Sequence, residues 1–454
     1  MANFDTLPAN LAAMIQQGML EREFEEGLDS DLAYRREALR ETIPNRIGET
    51  ITRTRTGRKT PITSNLNPSS DTGLDNGLTP SDAALEQYQF SMLEYADTTD
   101  VDLMSDEATI ANNVIRVARN NGVQAAQSLE RIARKKLFSA YLGGNTRVRT
   151  DLGASSTTTC HVDDITGFSV VLVNGVVTPV SSTNPLTAQE TSVSGGVTQT
   201  LTITGVTADG TNHSDNPNGV SGTLTFNTAT APVNGDAIIG ANAPQVMRPY
   251  GHITTAQLAG SDTFTLGIVQ DAEAYLRDNG VPPCDDGTYH VILDNSTMRQ
   301  LWADQDFKVL FAGRDTSSEY QNADVIRLLG LSFIPTTETI VQQPSTAATG
   351  AAAVNVRVRR PIVIGAEHMI QGDFEGLELW LARQGVNPIG DVTLVNGVAH
   401  IFRPPLDRLQ KFLSLSWDWI GDFAVPTDLT ATTSIIPTAS SALYKRAVTI
   451  ETAG

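Results

Sequence analysis

Cysteine is nearly absent: Cys160 and Cys284 are the only two in 454 residues. That is too few for a disulfide framework or a zinc cage, and a reducing compartment is the expected setting. Long apolar runs are missing as well. No stretch approaches the roughly 18 consecutive apolar residues of a membrane-spanning helix. Residues 1–8 have no basic region with an apolar core behind it, so no secretory signal peptide is expected. Positive charge is in short supply, with 32 Lys+Arg against 51 Asp+Glu and a net charge of −19. A sequence-specific DNA or RNA reader normally shows the opposite balance. Phosphate-loop, dinucleotide, zinc-protease and nucleophile-elbow signatures do not occur, and the six histidines are scattered singly. No enzymatic activity, metal or cofactor is therefore expected. With 40% hydrophobic and 18% charged residues, the chain is no disordered polyelectrolyte, and its length suggests about three folding units.

Residues 9–40 read as helix. Leu11, Ile15 and Met19 follow a spacing of four, as do Leu20, Phe24, Leu28 and Leu32, opposite Glu21, Glu25, Arg35 and Arg36. The apolar stripe is narrow, so this segment must lie on another surface. From Glu49 the period changes to two, with Thr50, Thr52, Thr54 and Thr56 alternating with Ile51, Arg53 and Arg55. Residues 57–61 break the strand. A polar stretch with Pro61, Pro68, Gly73, Gly77 and Pro80 follows, far longer than a hairpin turn. A second alternating run returns through Tyr88, Phe90 and Met92 to Tyr95. Together these predict a protruding two-stranded arm, marginal alone in water and in need of a partner surface. Arg53, Arg55, Arg58 and Lys59 concentrate positive charge on it and are the candidate contact residues.

Ser105-Asp106-Glu107 is a fair helix start, and one apolar face runs from Ile110 through Val114, Val117, Ala125, Leu129, Ile132 and Leu137 until Gly143-Gly144. A helix over 106–142 would span about 55 Å, with a kink expected at Asn120-Asn121-Gly122. Arg131, Arg134, Lys135 and Lys136 suit the negative end of its dipole and are candidates for non-specific phosphate contact. Residues 151–247 are rich in Thr, Ser, Gly, Val and Asn, the composition of an inserted all-β module, with Asn174-Gly175 a tight hairpin turn. Beyond it, a helix over 266–279, a strand over 289–293, a helix carrying Met298, Leu301 and Trp302, and a further helix over 325–329 are expected. A strand over 331–334 should stop at Pro335, and Asn396-Gly397 should turn a second hairpin. Leu413, Leu415, Trp417 and Trp419 alternate with Ser414, Ser416 and Asp418, predicting a strand with one buried aromatic face. The fold class is α+β with an inserted all-β domain.

Three short constellations invite chemistry. Cys160, His161, Asp163 and Asp164 are four potential metal ligands in five residues, but neighbours on a strand point to opposite faces, so a polar loop is the plainer reading. Cys284-Asp285-Asp286-Gly287 behind two prolines reads as a turn, with no partner acid or base in view. Lys59 reads as a solvated tip lysine.

The order of elements is the more telling feature: a helical N-terminal segment, a two-stranded arm, a long helix, then a mixed body closing on an aromatic strand. It resembles the major capsid protein of tailed bacteriophages, a fold shared with encapsulins. The resemblance rests on residues 46–104 as an extended loop, residues 105–144 as a spine helix, residues 289–307, the run from Leu328 to Pro335, and the closing Trp417-Asp418-Trp419-Ile420-Gly421-Asp422-Phe423. It implies a helical arm (1–45), an extended loop (46–104), a spine helix of a peripheral domain (105–150), an inserted β domain (151–247), and an axial domain with the remaining peripheral domain (248–454). It also implies a coat protein forming hexamers and pentamers of an icosahedral shell around double-stranded DNA, in the virion, assembled in the host cytoplasm. Arg53, Arg55, Arg58 and Lys59 would then meet a neighbouring subunit, and Arg131, Arg134, Lys135 and Lys136 would face DNA. Implied partners are further copies of the chain, a portal protein, a separate scaffolding protein (or none, since only about 45 residues precede the loop) and decoration proteins. An encapsulin-type compartment is the alternative, and a β-rich adhesin or carbohydrate-binding protein a more distant one. The acid excess is unevenly spread, with a net −14 over residues 151–350 against −4 before and −1 after.

Overall fold

The computed structural model describes residues 18–29, 33–43, 50–56, 85–102, 113–156, 158–173, 176–193, 196–228, 230, 232–241, 243–312, 326–345, 348–376, 391–403, 408–409, 411–426 and 446–454. The fold is mixed α+β, and the chain divides into two compact units built from interleaved segments.

The first unit gathers Met1–Thr52, Gln89–Lys136 and Met369–Ala424. Its sheet is organised by the 13-residue strand Phe412–Ala424. Leu93–Asp102 pairs antiparallel along one edge of that strand, while Val398–Arg403 and Ile370–Phe374 share the other. The expected aromatic face is present: Leu413, Leu415 and Trp419 are fully buried and Trp417 nearly so. The opposite face is buried too at Asp418 and Asp422, which simple alternation does not anticipate. The tight turn at Asn396-Gly397 joins Asp391–Val395 to Val398–Arg403, both turn residues holding the positive φ this connection requires.

Two expectations for the N-terminal segment need correction. The helix does not run to residue 40. Met19–Leu28 is helical, with Leu20, Phe24, Gly27 and Leu28 buried, and Tyr34–Glu37 forms one further turn. Leu39–Ile43 is instead a strand, parallel to Ile370–Phe374. Tertiary pairing to a strand more than 300 residues away overrides the local helical spacing. Residues 9–17 lie outside the described set.

The long helix is Asn113–Leu142, about 45 Å long, and it runs unbroken through Asn120-Asn121-Gly122. Gly122 serves close packing rather than a kink. A Cβ there would fall on the carbonyl oxygen of Phe24, and one on Gly27 would fall on that of Arg119. The two helices touch backbone to backbone at this point, which only glycine allows. In the same unit, Leu20, Val101, Val114, Ala118, Phe402, Leu413 and Leu415 form a joint core.

Thr50–Thr56 and Leu85–Ser91 form a two-stranded sheet of their own. The second strand of the arm thus ends at Ser91, and Tyr95 lies in Leu93–Asp102, a strand of the large sheet.

The second unit gathers Arg53–Tyr88, Leu137–His368 and Val425–Gly454. One of its sheets orders Asn145–Arg147, Ala237–Gly240, Leu186–Thr191, Val197–Ala208, Gly222–Phe226 and Thr159–Val162, around a core that includes Cys160, Phe168, Leu201 and Leu224. Val170–Val173 pairs antiparallel with Val176–Pro179, and the expected turn at Asn174-Gly175 lies outside the described residues. A second six-stranded sheet packs Tyr289–Asp294, Leu331–Thr336 and Ile362–Ile364 with the helices Leu266–Asp278, Asn295–Ala303 and Gln305–Ala312. Asp294 caps the helix that follows it, its carboxylate accepting from the N–H groups of Ser296 and Thr297. Residues 326–328 form a strand rather than a helix. Leu329 and Gly330 both take positive φ and turn it directly into Leu331–Thr336. Pro335 does not stop that strand. Beyond Phe333 the strand keeps only its parallel neighbour Tyr289–Asp294, so a missing N–H is tolerated on the open side.

Candidate functional site

The candidate sites are built from buried charged groups. Those in the first unit meet around Glu130. On the long helix Glu130 lies among Ala126, Leu129 and Ala133, on the buried face, and is 1% exposed. Its two carboxylate oxygens accept from three consecutive backbone N–H groups, Ala33 at 2.9 Å, Tyr34 at 2.7 Å and Arg35 at 3.0 Å. These are orphan donors at the start of the turn Tyr34–Glu37, and an acid from another element satisfies them. Burial raises the Glu130 pKa against the opposing pull of those N–H groups. Arg35, also fully buried, donates to the Gln371 side chain at 3.2 Å and the Asn396 carbonyl at 2.8 Å. Burial, then Arg40, lowers its pKa to about 10, so it stays charged at neutral pH. Gln371 donates onward to Asp373, which also accepts from the Trp419 indole at 3.0 Å. One buried chain of polar contacts thus fixes the N-terminal segment, long helix and aromatic strand in register.

Asp418 stands apart from this chain. It is 4% exposed, and one carboxylate oxygen has no donor. Burial, then the charge of Glu94, pushes its pKa up to about 6.

The second unit buries two arginine–carboxylate centres. Arg149 is fully buried and meets Asp151 at 2.7 Å, Asp163 at 2.8 Å and Asp215 at 3.3 Å. Arg147 shares Asp163 and Asp215. Burial opposes the charge on Arg149, yet its bonds to Asp151 and Asp163 hold its pKa above the ordinary value. In the other centre Glu451 is clasped by Arg248 at 2.7 Å and Arg360 at 2.8 Å. Burial alone would raise Glu451, but those two charges outweigh it and the carboxyl sits below its ordinary value.

These contacts account for the short constellations. Cys160 faces the apolar core, where burial, then Glu190, pushes its thiol up to about 12. His161 lies 3.9 Å from Asp209, while Asp163 is taken by the arginines. Among the described residues no group of three or more His, Cys, Asp or Glu is arranged to hold a metal. Residues 284–288 form the expected turn, closed by the Cys284 N–H donating to Thr288.

Arg53 and Arg55 fall on the first arm strand. Arg58 and Lys59 lie outside the described residues. On the long helix, Arg131 and Lys135 are exposed and Arg134 half-buried. Lys136 is set apart, pairing with the buried Asp422 at 3.0 Å. The four cations therefore do not form one face.

Sequence reasoning missed Glu130, Asp418 and both arginine centres. For Glu130 a signal existed: it stands four residues after Ala126 and three before Ala133, on the apolar stripe. The others carry none, because a charge on an alternating strand reads as solvent-facing.

No family model matches this chain, and no curated protein matches it. Solved structures of bacteriophage capsids are similar to it over most of its length. The capsid of Ralstonia phage GP4 shares 9% identity, over 94% of this chain and 92% of that one, with a TM-score of 0.49. The capsid of Cyanophage P-SCSP1u shares 9%, over 93% and 88%, with a TM-score of 0.44. The Cyanophage Pam1 capsid shares 11%, over 90% and 86%, with a TM-score of 0.45.

Proposed function

We infer that this chain is the major capsid protein of a tailed bacteriophage, a structural protein that assembles as hexamers and pentamers into an icosahedral shell around double-stranded DNA. The observation that carries this reading is the arm. Thr50–Thr56 and Leu85–Ser91 pair only with each other among the described strands. A lone hairpin is marginal in water and gains its stability from a surface it lies on. In a shell that surface is a neighbouring subunit, with Arg53, Arg55, Arg58 and Lys59 setting register against acidic groups. The acid excess over residues 151–350 fits such a partner. Many individually weak contacts per subunit then close a shell through symmetry and multivalency.

Arg131, Arg134 and Lys135 are assigned to non-specific contact with packaged DNA, which needs local positive charge and no base readout. Lys136 is the least suited of the four, since it already pairs with Asp422. A portal protein, decoration proteins and either a separate scaffolding protein or none complete the expected partners, and closed shells formed by the purified chain alone would remove the need for a scaffold. The protein would reside in the virion after assembly in the host cytoplasm. Residues 151–247 are assigned to a stabilising or surface-exposed module. Electron microscopy of the purified chain tests the reading: closed shells of one size support it, and a dispersed monomer refutes it. Nucleic-acid extraction from native particles separates a genome container from a compartment packed with protein cargo.

A further inference from the structure

A small cavity of about 40 Å³ lies within the second unit, walled by Arg147, Arg248, Arg360, Asp163, Glu451 and Gln342. Arg147, Arg360 and Gln342 are each at most 3% exposed. Each also carries a polar hydrogen with no acceptor on the protein: Nε of Arg147, Nη1 of Arg360 and Nε2 of Gln342. Their other groups are committed. Arg147 gives its Nη atoms to Thr255, Asp163 and Asp215. Arg360 gives Nε to Glu451 and Nη2 to the Gln342 carbonyl oxygen, which leaves the Gln342 amide nitrogen directed elsewhere.

These three are donors, and the fourth unmet group in the wall, the buried Thr254 hydroxyl, can donate as well. A buried donor without an acceptor is costly, more so on a charged group. The missing complement must accept hydrogen bonds and need not donate any. Three guanidinium groups line the wall beside the carboxylates Asp163, Asp164 and Glu451, and Asp163 and Glu451 are already bound by arginine. The volume is large enough for a single-atom ion, since a cavity needs only about 10–15 Å³ of such space to hold a water molecule.

We propose that this cavity is a binding site for a chloride-sized monovalent anion held by Arg147, Arg360 and Gln342. Bound there, the anion receives charge-assisted bonds from two centres that otherwise share no side-chain partner, and it stabilises the second unit. The assignment is independent of the capsid reading.

The test uses the full chain, exchanged into sodium gluconate and titrated with sodium chloride at constant ionic strength. The expected result is a saturable rise in melting midpoint with chloride, reproduced by bromide, and broadening of the ³⁵Cl resonance by the protein. Gln342→Glu places a carboxylate against Arg360 as a built-in acceptor. It should melt higher than wild type in gluconate and lose the chloride response. Should that variant fail to fold, Arg360→Lys keeps the charge while withdrawing the Nη1 donor, and should raise the chloride dissociation constant at least tenfold. Equal melting in the two salts, or an equal chloride response in wild type and variants, would mean that the cavity holds water only and would overturn the assignment.

Discussion

Replacing Asp418 by Asn should make the protein more stable at neutral pH, although it removes a charge from the middle of a sheet. In the fold the Asp418 carboxyl titrates at about 6 rather than the ordinary 3.8, because it is buried and lies near Glu94. The folded state therefore holds this proton more tightly than the unfolded state does. The associated stability is fully present below about pH 4 and is lost as the pH rises through 6. A difference of about two pKa units corresponds to at most about 3 kcal/mol. Asparagine resembles the protonated acid in shape and in its neutral charge. The variant should match wild type near pH 4 and exceed it by up to about 3 kcal/mol at pH 8. Urea unfolding followed by tryptophan fluorescence reads this directly, since Trp417 and Trp419 flank the site. With an m-value of about 2–3 kcal/mol/M, the midpoint at pH 8 should rise by roughly 1 M. Glu94→Gln should give a smaller gain, because burial is the larger cause. A variant with an unchanged or lower midpoint at pH 8 would refute the reasoning.

Three other predictions follow from the same contacts. Glu130→Ala strands three backbone donors and removes one of the carboxylates that offset the buried Arg35 charge; a local cost of about 3–5 kcal/mol is expected, read as amide exchange at least a hundredfold faster over residues 33–37, with Glu130→Gln intermediate. Gly122→Ala drives a methyl into the Phe24 carbonyl and should lower stability by about 1–3 kcal/mol or more, whereas an alanine at the exposed Asn120 should be nearly neutral in the same denaturation assay. Reversing Arg53, Arg55, Arg58 and Lys59 to Glu should abolish particle formation while leaving the circular dichroism of the subunit unchanged; particles formed at wild-type yield would remove the arm from the assembly mechanism.

Where a signal was local, it was legible. The apolar stripe of the long helix, the Asn396-Gly397 turn and the alternation from Leu413 to Trp419 all predict their elements from neighbours a few residues apart. Leu39–Ile43 was not legible, because its conformation is set by Ile370–Phe374. The strand Ile326–Leu328 is three residues long, and a Leu-Gly turn announces a hairpin less clearly than Asn-Gly does. The arginine centres were hidden for the same physical reason. Arg147 meets Asp215 across 68 positions and Arg248 meets Glu451 across 203, and nothing local distinguishes a buried ion pair from two solvated charges. Lys136 shows the converse: next to Lys135 in sequence, it is turned away by about 100° on the helix and pairs with Asp422.

The account stands most directly on what the purified 48.6 kDa chain does in solution. Electron microscopy of the wild-type protein, paired with sedimentation velocity on the same sample, should show closed icosahedral shells of uniform diameter with rings of six and five subunits. A stable monomer at every concentration examined, with no closed particles, would contradict it.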